Sequence, residues 1–587
     1  MSTRDFPALL TLDWLKISYA EQTLTPYEVI LEVIRRAETD SEMNIWISPP
    51  KLEQIIPFLK RLETLDSAHA PLWGIPFAVK DNIDVANMPT TAGCPDFTYR
   101  PSEHATVIER LVEAGAIPVG KTNLDQFATG LVGTRSPYGE THNALRPELI
   151  SGGSSSGSAV AVARGHVVFG LGTDTAGSGR VPAALNQLVG FKPSLGSWSV
   201  KGVVPACESL DCVTVFTHNL EDAQAVDQVV QGIDTDDPWS KEIPYLKEPK
   251  LPTKLYMPIE PLDFYGPFAE SYRQAWEKTQ ERLGNLGLPV EYIDTALFAE
   301  AAALLYEGPW VAERWAALGD FIDAHPGSTF GVTEQILRTG SNSSHSAVAM
   351  FKAMHQLQRY KLRAQQLLQG GVLVMPTAGG TWTREQVRMD PVSTNRAMGL
   401  YTNHCNLLDL CAIALPAGEA EVKLPFGITL FASSGEEISL FNLATRYEQA
   451  ESQPVTPVAV CGLHMRGFPL EAQMKAHGAR FIREDQTAAK YKLLKLQTQP
   501  AKPGLIKCES GGASIHLEVW EMPLAAFGAF AASIPAPLGI GKVELQNGTE
   551  VPGFICEGYA ADGAENITHY GGWRAMSLTA KPVDTSI

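Results

Sequence analysis

Two glycine-rich loops with serine residues lie close together in the first third of the chain. One reads Gly-Gly-Ser-Ser-Ser-Gly over residues 152–157, and the other reads Gly-Thr-Asp-Thr-Ala-Gly-Ser-Gly-Arg over residues 172–180. Glycine allows a backbone to approach a substrate closely and to direct N–H groups at an oxyanion. A flexible linker or a phosphate-binding nest is the alternative interpretation. Apolar segments flank both loops and the lysine-serine ending of a phosphate loop is missing, so the pattern favours a nucleophilic serine.

Lys80 is the candidate base for such a serine, which is a weak nucleophile until a base accepts its proton. No histidine lies in either loop, and the neighbours of His142 and His166 lack the glycine or acidic pattern of a triad. Lys80 follows the apolar run 75–79, as a lysine at the end of a buried strand would. Burial lowers the pKa of a lysine and leaves a neutral amine that can accept a proton. A lysine considered alone is more often a solvated surface charge.

Three segments in this order, GIPFAVKDN at 74–82, GGSSSGSA at 152–159 and GTDTAGSGR at 172–180, resemble the amidase signature family. The segment KTNLDQF at 121–127 is similar to the family's stretch between its lysine and its first serine loop. The resemblance covers roughly residues 20–450. It implies an α/β fold in which helices cover a mixed central β-sheet.

The same resemblance implies a catalytic triad of the Ser–cis-Ser–Lys type. By matching position, Ser178 is the nucleophile, Ser154 the bridging serine and Lys80 the base, and Ser178 is the 24th residue after Ser154. We expect the oxyanion to be stabilised by backbone N–H groups of the second loop. These are the groups of Thr175, Ala176, Gly177 and Ser178. Ala176 departs from the pattern, since many members have glycine there.

Four further segments resemble allophanate hydrolases in particular. Residues 129–139 and 209–212 are similar to the versions found in those enzymes, and residues 462–470 and 571–574 resemble their extra C-terminal domain. The resemblance implies hydrolysis of allophanate (urea-1-carboxylate) to ammonia and carbon dioxide via N-carboxycarbamate, a route that belongs to urea or triazine-type degradation. It also implies that His464 acts in the decarboxylation. Arg466 or Arg574 is then the expected cation beside it, and a purely structural histidine is the alternative.

Tyr306 and Arg314 match the positions at which allophanate hydrolases bind their substrate. A planar guanidinium suits a carboxylate such as that of allophanate. If one helix covers residues 299–318, as its composition suggests, the eight-residue spacing places the two side chains about 80° apart. The alternative is a surface arginine paired with Glu313 or Glu307.

Other functions stay open at this point. One is an amidase for another small carboxylated amide such as malonamate, with the C-terminal domain serving only in assembly. Another is a glutamine-using amidotransferase subunit with transfer-RNA partners. We expect a homodimer and an association with a separate urea carboxylase.

Composition limits the remaining possibilities. The chain has 587 residues and a net charge of −18, which argues against a nucleic acid partner. The eight cysteines include no CxxC pair, and no segment resembles a signal peptide or a membrane span. We therefore expect a cytoplasmic enzyme that uses no metal or organic cofactor and does not bind membranes.

Two domains are expected from the length and from a proline-bearing polar linker at residues 450–457. The first, residues 1–452, is the amidase domain, in which strands alternate with helices. The second, residues 453–587, is a smaller α+β domain of the allophanate-hydrolase type.

Overall fold

The computed structural model describes residues 6–244, 251–259, 261–306, 308–452 and 455–579. The chain divides into two compact units, Met1–Glu448 and Gln449–Ile587. The expected boundary between residues 452 and 453 adjoins residues 453–454, which lie outside the described residues. No helix in the described part is long and apolar enough to cross a membrane.

An eleven-stranded mixed sheet forms the centre of the first unit, in the order β1-β3-β2-β4-β6-β5-β10-β11-β9-β7-β8. Its strands are β1 Trp46–Ser48, β2 Pro76–Lys80, β3 Ile117–Thr122, β4 Phe169–Asp174, β5 Val189–Lys192, β6 Cys212–Thr217, β7 Lys254–Pro258, β8 Val290–Ile293, β9 Gly371–Pro376, β10 Leu410–Glu421 and β11 Leu424–Ser433. β2 pairs in parallel with both β3 and β4, whereas β4 and β6 are antiparallel. The expected α/β fold with a mixed central sheet is confirmed.

Helices surround this sheet. They are α1 Leu12–Ala20, α2 Pro26–Thr39, α3 Leu52–Leu62, α4 Thr106–Glu113, α5 Ser156–Ala163, α6 Val181–Leu185, α7 Leu220–Val230, α8 Ala269–Gly284, α9 Ala296–Tyr306, α10 Val311–Ala324, α11 Gly331–Arg338, α12 Ala347–Leu367, α13 Arg384–Met389, α14 Ser393–Met398, α15 His404–Leu407 and α16 Glu437–Ser452. The start of α2 illustrates the local cause: Thr25 and Glu28 form a capping box, with Pro26 in the first turn.

The prediction of one helix over residues 299–318 is wrong. α9 ends at Tyr306 and α10 begins at Val311. Pro309 lies between them, and a proline disfavours helical backbone in the preceding residue. Tyr306 and Arg314 therefore belong to different helices, and the angle expected for a single helix does not apply.

The parallel pair β2 and β4 determines where the two serine loops lie. β2 ends at Lys80 and β4 ends at Asp174, so both strands deliver their last residues to the same edge of the sheet. The first loop runs directly into α5 at Ser156, and the second loop follows β4. The chain order of loop, helix, strand and loop is therefore as predicted.

The second unit contains two smaller sheets. Its strands are β12 Val455–Val460, β13 Arg480–Gln486, β14 Tyr491–Leu496, β15 Lys502–Lys507, β16 His516–Pro523, β17 Leu538–Glu544, β18 Glu550–Cys556 and β19 Glu565–Asn566, and its helices are α17 Glu471–Ala476, α18 Leu524–Ala532 and α19 Trp573–Thr579. One sheet has the order β13-β16-β12-β18-β17, and the other has the order β15-β14-β19. This unit has its own apolar core.

Candidate active site

Lys80 lies at the end of β2 and is completely buried. Its Nζ donates hydrogen bonds to Ser154 Oγ at 2.8 Å and to Thr173 Oγ1 at 2.6 Å. Thr173 is in β4, so the lysine joins the first serine loop to the strand that carries the second. The sequence did not identify Thr173 as part of the site, although it lies within the quoted motif.

Burial gives Lys80 the protonation behaviour that a base needs. Desolvation lowers the pKa of Lys80 to about 7, even though the negative charges of Asp211, Asp125 and Asp174 favour its ammonium form. Near neutral pH a large fraction of this amine is therefore unprotonated. The unprotonated nitrogen has a lone pair that can accept the Ser154 proton.

The first loop, which carries Ser154, is held in place by contacts to Asp125. The peptide bond between Gly153 and Ser154 is cis, and the Ser154 carbonyl accepts the N–H of Asp125 at 3.0 Å. A Cβ at Gly153 would lie 2.1 Å from Asp125 Oδ2, so only glycine fits. The Asp125 carboxylate also accepts the N–H groups of Gly133 and Arg135, at 3.0 and 2.9 Å. Asp125 thus fixes both the serine loop and the segment after β3.

The second loop is organised by Asp174. Its carboxylate accepts N–H bonds from Gly177 at 2.7 Å and Gly179 at 3.0 Å, and it pairs with the Arg180 guanidinium at 2.9 and 3.0 Å. Burial raises the pKa of Asp174, but Arg180 outweighs this, and the pKa lies below its ordinary value. A Cβ at Gly177 would meet Thr402 Oγ1 at 2.3 Å, which requires glycine there.

This arrangement corrects one predicted member of the oxyanion site. The Gly177 N–H donates to Asp174 and is therefore not directed at a substrate. Thr175, Ala176 and Ser178 stay as predicted donors. Ser178 follows in the same turn and is 3% exposed. Ser178 lies in the loop that follows β4, the strand in which Thr173 accepts a hydrogen bond from Lys80, and its assignment as the nucleophile stays a prediction.

The residues expected to bind the substrate lie around the start of α10. Arg314 is 1% exposed, and its Nη1 donates to Thr129 Oγ1 at 3.1 Å. It is therefore not the surface arginine of the alternative interpretation. Leu305 and Trp310 belong to the same apolar cluster as Ala176, which brings the α9–α10 connection against the second serine loop. Tyr306 is the last residue of α9, and its side chain is outside what the structure describes.

His464 lies in the second unit, in a pocket that it shares with Gln473 and Lys502. Its Nε2 is 2.9 Å from Gln473 Oε1, and its ring stacks on Phe554 at 4.7 Å. Burial lowers the pKa of His464; the hydrogen bond to Gln473 opposes this, and the positive charge of Lys502 lowers the pKa further by a smaller amount.

Neither Arg466 nor Arg574 is the cation of this pocket. Both donate to the buried carboxylate of Glu518, at 3.2 and 2.9 Å. Among the described lining residues the cation is Lys502, 38 residues from His464, and nothing in the sequence pattern indicated it.

Comparison with known proteins places this site in a family. An Amidase profile matches residues 28–441, and a profile for the allophanate hydrolase C-terminal domain matches residues 456–577. The chain therefore belongs to the Amidase family, and the resemblance drawn from its motifs is confirmed.

Individual relatives are more specific. The chain is 41% identical to urea amidolyase of Saccharomyces cerevisiae and 39% identical to that of Lachancea kluyveri, over 96% of its own length in both cases. It spans about one third of each of these relatives, 32% and 33% of their lengths. The crystal structure of Kluyveromyces lactis allophanate hydrolase superposes with a TM-score of 0.71 at 37% identity, covering 98% of this chain and 100% of that one.

Proposed function

We propose that this chain is an amidohydrolase that converts allophanate to ammonia and N-carboxycarbamate with a Ser178–Ser154–Lys80 triad. The observation that carries the proposal is the buried Lys80 amine, with a pKa of about 7, bonded to Ser154 Oγ at 2.8 Å. The similarity to Kluyveromyces lactis allophanate hydrolase over the whole of that chain supports the choice of substrate.

The first reaction begins when neutral Lys80 accepts a proton through Ser154 from the hydroxyl of Ser178. Ser178 Oγ attacks the carbonyl carbon that carries the terminal amino group, and N–H groups of Thr175 and Ala176 stabilise the oxyanion. The carbon–nitrogen bond breaks, and the returning proton allows ammonia to leave. Water then hydrolyses the acyl-enzyme to N-carboxycarbamate and frees Ser178.

The test of this proposal is a side-by-side assay of ammonia release from allophanate, malonamate and glutamine. We expect allophanate to give the highest kcat/KM. Preference for malonamate would support the second candidate, an amidase for other carboxylated amides. Preference for glutamine would indicate an amidotransferase subunit.

Arg314 is proposed to bind the substrate carboxylate, together with Tyr306. Replacing Arg314 by alanine is expected to raise the KM for allophanate by about a hundredfold, since a charge-assisted bond to a buried carboxylate is lost. The KM for N-acetylurea, which has an uncharged acetyl group in place of the carboxylate, should change by less than about threefold. Steady-state kinetics on both substrates measure the difference.

The exposed Arg338 on the next helix, paired with Glu334 and Asp323, is the control, and Arg338→Ala should behave as the unmodified protein. Equal losses on the charged and uncharged substrates would remove Arg314 from the carboxylate site.

The second reaction is proposed to occur in the pocket of His464, Gln473 and Lys502. N-carboxycarbamate carries two carboxylates, and Lys502 supplies a positive charge for one of them. Loss of carbon dioxide leaves carbamate, which releases the second ammonia. His464 is proposed to donate the proton that the nitrogen gains as the carbon–nitrogen bond breaks.

Replacing His464 by alanine should leave the release of the first ammonia unchanged and allow N-carboxycarbamate to accumulate, because the proton donor is lost. Carbon-13 NMR with labelled allophanate detects the intermediate. His477, which also packs against Phe530, is a matched histidine, and His477→Ala should show no accumulation. If neither variant accumulates the intermediate, decarboxylation is spontaneous and the second unit serves in assembly.

We also propose the setting in which the enzyme works. Carboxylation of urea gives allophanate, and we propose that an enzyme that carboxylates urea supplies the substrate and associates with this chain. We propose a homodimer in the cytoplasm, where its cysteines stay reduced, and a domain boundary at residues 452–453. Light scattering measures the subunit number.

A further inference from the structure

Glu313 precedes the proposed carboxylate-binding arginine directly and makes three contacts to another segment. Its Oε1 accepts the Ser209 N–H at 2.7 Å, and its Oε2 accepts the Ser209 hydroxyl at 2.8 Å and the Cys207 thiol at 3.1 Å. Burial raises the pKa of Cys207 well above its ordinary value, so the thiol stays protonated and donates. Both oxygens of Glu313 are thus fixed on the segment 206–211.

That segment is tied in turn to the second serine loop. Asp211 accepts the N–H groups of Ala206 and Cys207, at 2.7 and 3.1 Å, through one oxygen. Its other oxygen accepts the hydroxyl of Thr175, which belongs to the proposed oxyanion site. The contacts therefore run without interruption from Glu313 through the segment 206–211 to the loop that carries Ser178.

Arg314 is on the same turn of α10 as Glu313, about 100° further round the helix. The two side chains therefore leave the helix in different directions. Glu313 contacts the segment 206–211, and Arg314 donates to Thr129 Oγ1 at 3.1 Å. The contacts of Glu313 therefore also fix the backbone from which the Arg314 side chain extends.

We propose that Glu313 is a positioning residue, which sets the distance between the Arg314 guanidinium and the reacting carbonyl by tying the start of α10 to the serine loop. This inference rests on the proposed function. It makes Glu313 and Ser209 determinants of the preference for amides that carry a carboxylate. A shift of about 1 Å between an anchoring group and a nucleophile is sufficient to cost about a hundredfold in rate.

Kinetics of Glu313→Ala, Glu313→Gln and Ser209→Ala test this inference. Glu313→Ala should raise the KM for allophanate about tenfold. It should change the KM for N-acetylurea less than about twofold, because only the group that binds the carboxylate moves. Ser209→Ala removes one hydroxyl and should have a smaller effect in the same direction. Glu313→Gln keeps an oxygen for the Ser209 N–H and should stay within about threefold of the unmodified protein.

A double-mutant cycle separates positioning from a general loss of stability. In a protein that already carries Arg314→Ala, adding Glu313→Ala should not raise the KM for allophanate further, since residues acting through one group are not additive. Glu334→Ala, at a half-buried position on the next helix, is the control for loss of a helical glutamate. A further tenfold rise in the Arg314→Ala background, or equal effects on N-acetylurea, would overturn the proposal.

Binding provides a measurement that is independent of turnover. Calorimetry of malonamate with Ser178→Ala protein should show an affinity about tenfold weaker when Glu313→Ala is added. Unchanged affinity overturns the role of Glu313. Failure of the unmodified protein to hydrolyse allophanate overturns the proposed function instead, so the two failures are distinguishable.

Discussion

Ser178→Ala is expected to lower ammonia release from allophanate by at least about a thousandfold, because the residue that forms the acyl-enzyme is removed. The fold should persist, since the variant removes only one oxygen and the Asp174 contacts to Gly177, Gly179 and Arg180 hold the loop. Ammonia release by a coupled assay, with the melting temperature as a check of folding, gives the result.

Ser151 is the matched control for this substitution. It is a buried serine directly before the first loop, and its hydroxyl donates to the carbonyl of Gly152 at 3.2 Å. Ser151→Ala should keep activity within about threefold of the unmodified protein. If Ser178→Ala retains more than about a tenth of the activity, Ser178 is not the nucleophile.

Lys80→Met should lower kcat/KM by about a thousandfold or more, because the serine pair loses its base. Methionine fills a similar buried volume without the amine. In the unmodified protein the lysine must be neutral to accept a proton, and its pKa is lowered to about 7 by burial. Activity should therefore fall about tenfold per pH unit below pH 7 and level off above it.

The pH profile of the residual activity decides the assignment. In Lys80→Met the acid limb near pH 7 should be absent, because the group that titrates has been removed. Lys192 is the matched control, since it also ends a strand, is fully buried and donates to the Pro193 carbonyl at 2.8 Å. Lys192→Met should keep the limb. An unchanged limb in Lys80→Met would assign the titration to another group.

Much of the structure around β2 and β4 could be predicted from the sequence. An apolar run that ends in Lys80 predicts a buried strand, and the small-residue stretch before β4 predicts the helix α5. These follow from the local pattern because backbone hydrogen bonding and apolar burial are settled mostly by near neighbours. The order of the motifs then indicated which residues meet.

Gly177, Tyr306 and Lys502 mark where local pattern failed. The sequence predicts that the Gly177 N–H binds an oxyanion, but this group donates to Asp174. The conformation of the loop determines which acceptor it meets. The apolar pattern predicts a single helix for Tyr306 and Arg314, but Pro309 lies between them and indicates a break in that helix. Lys502, the first residue of β15, reaches the His464 pocket from a separate part of the chain.

The sequence by itself determined the residue types of the candidate chemistry, their order, and the strands β2 and β4 and the helix α5 around the serine loops. It did so because these features depend on residue types and apolar patterns within a few neighbouring positions of the chain. Only the tertiary structure decided which partner each charged or polar group has. Glu518 accepts hydrogen bonds from both Arg466 and Arg574, and Glu313 accepts one from the Ser209 N–H. Such partners are tens of residues or more apart in the chain, and burial makes a pairing with any of them strong enough to outweigh sequence proximity.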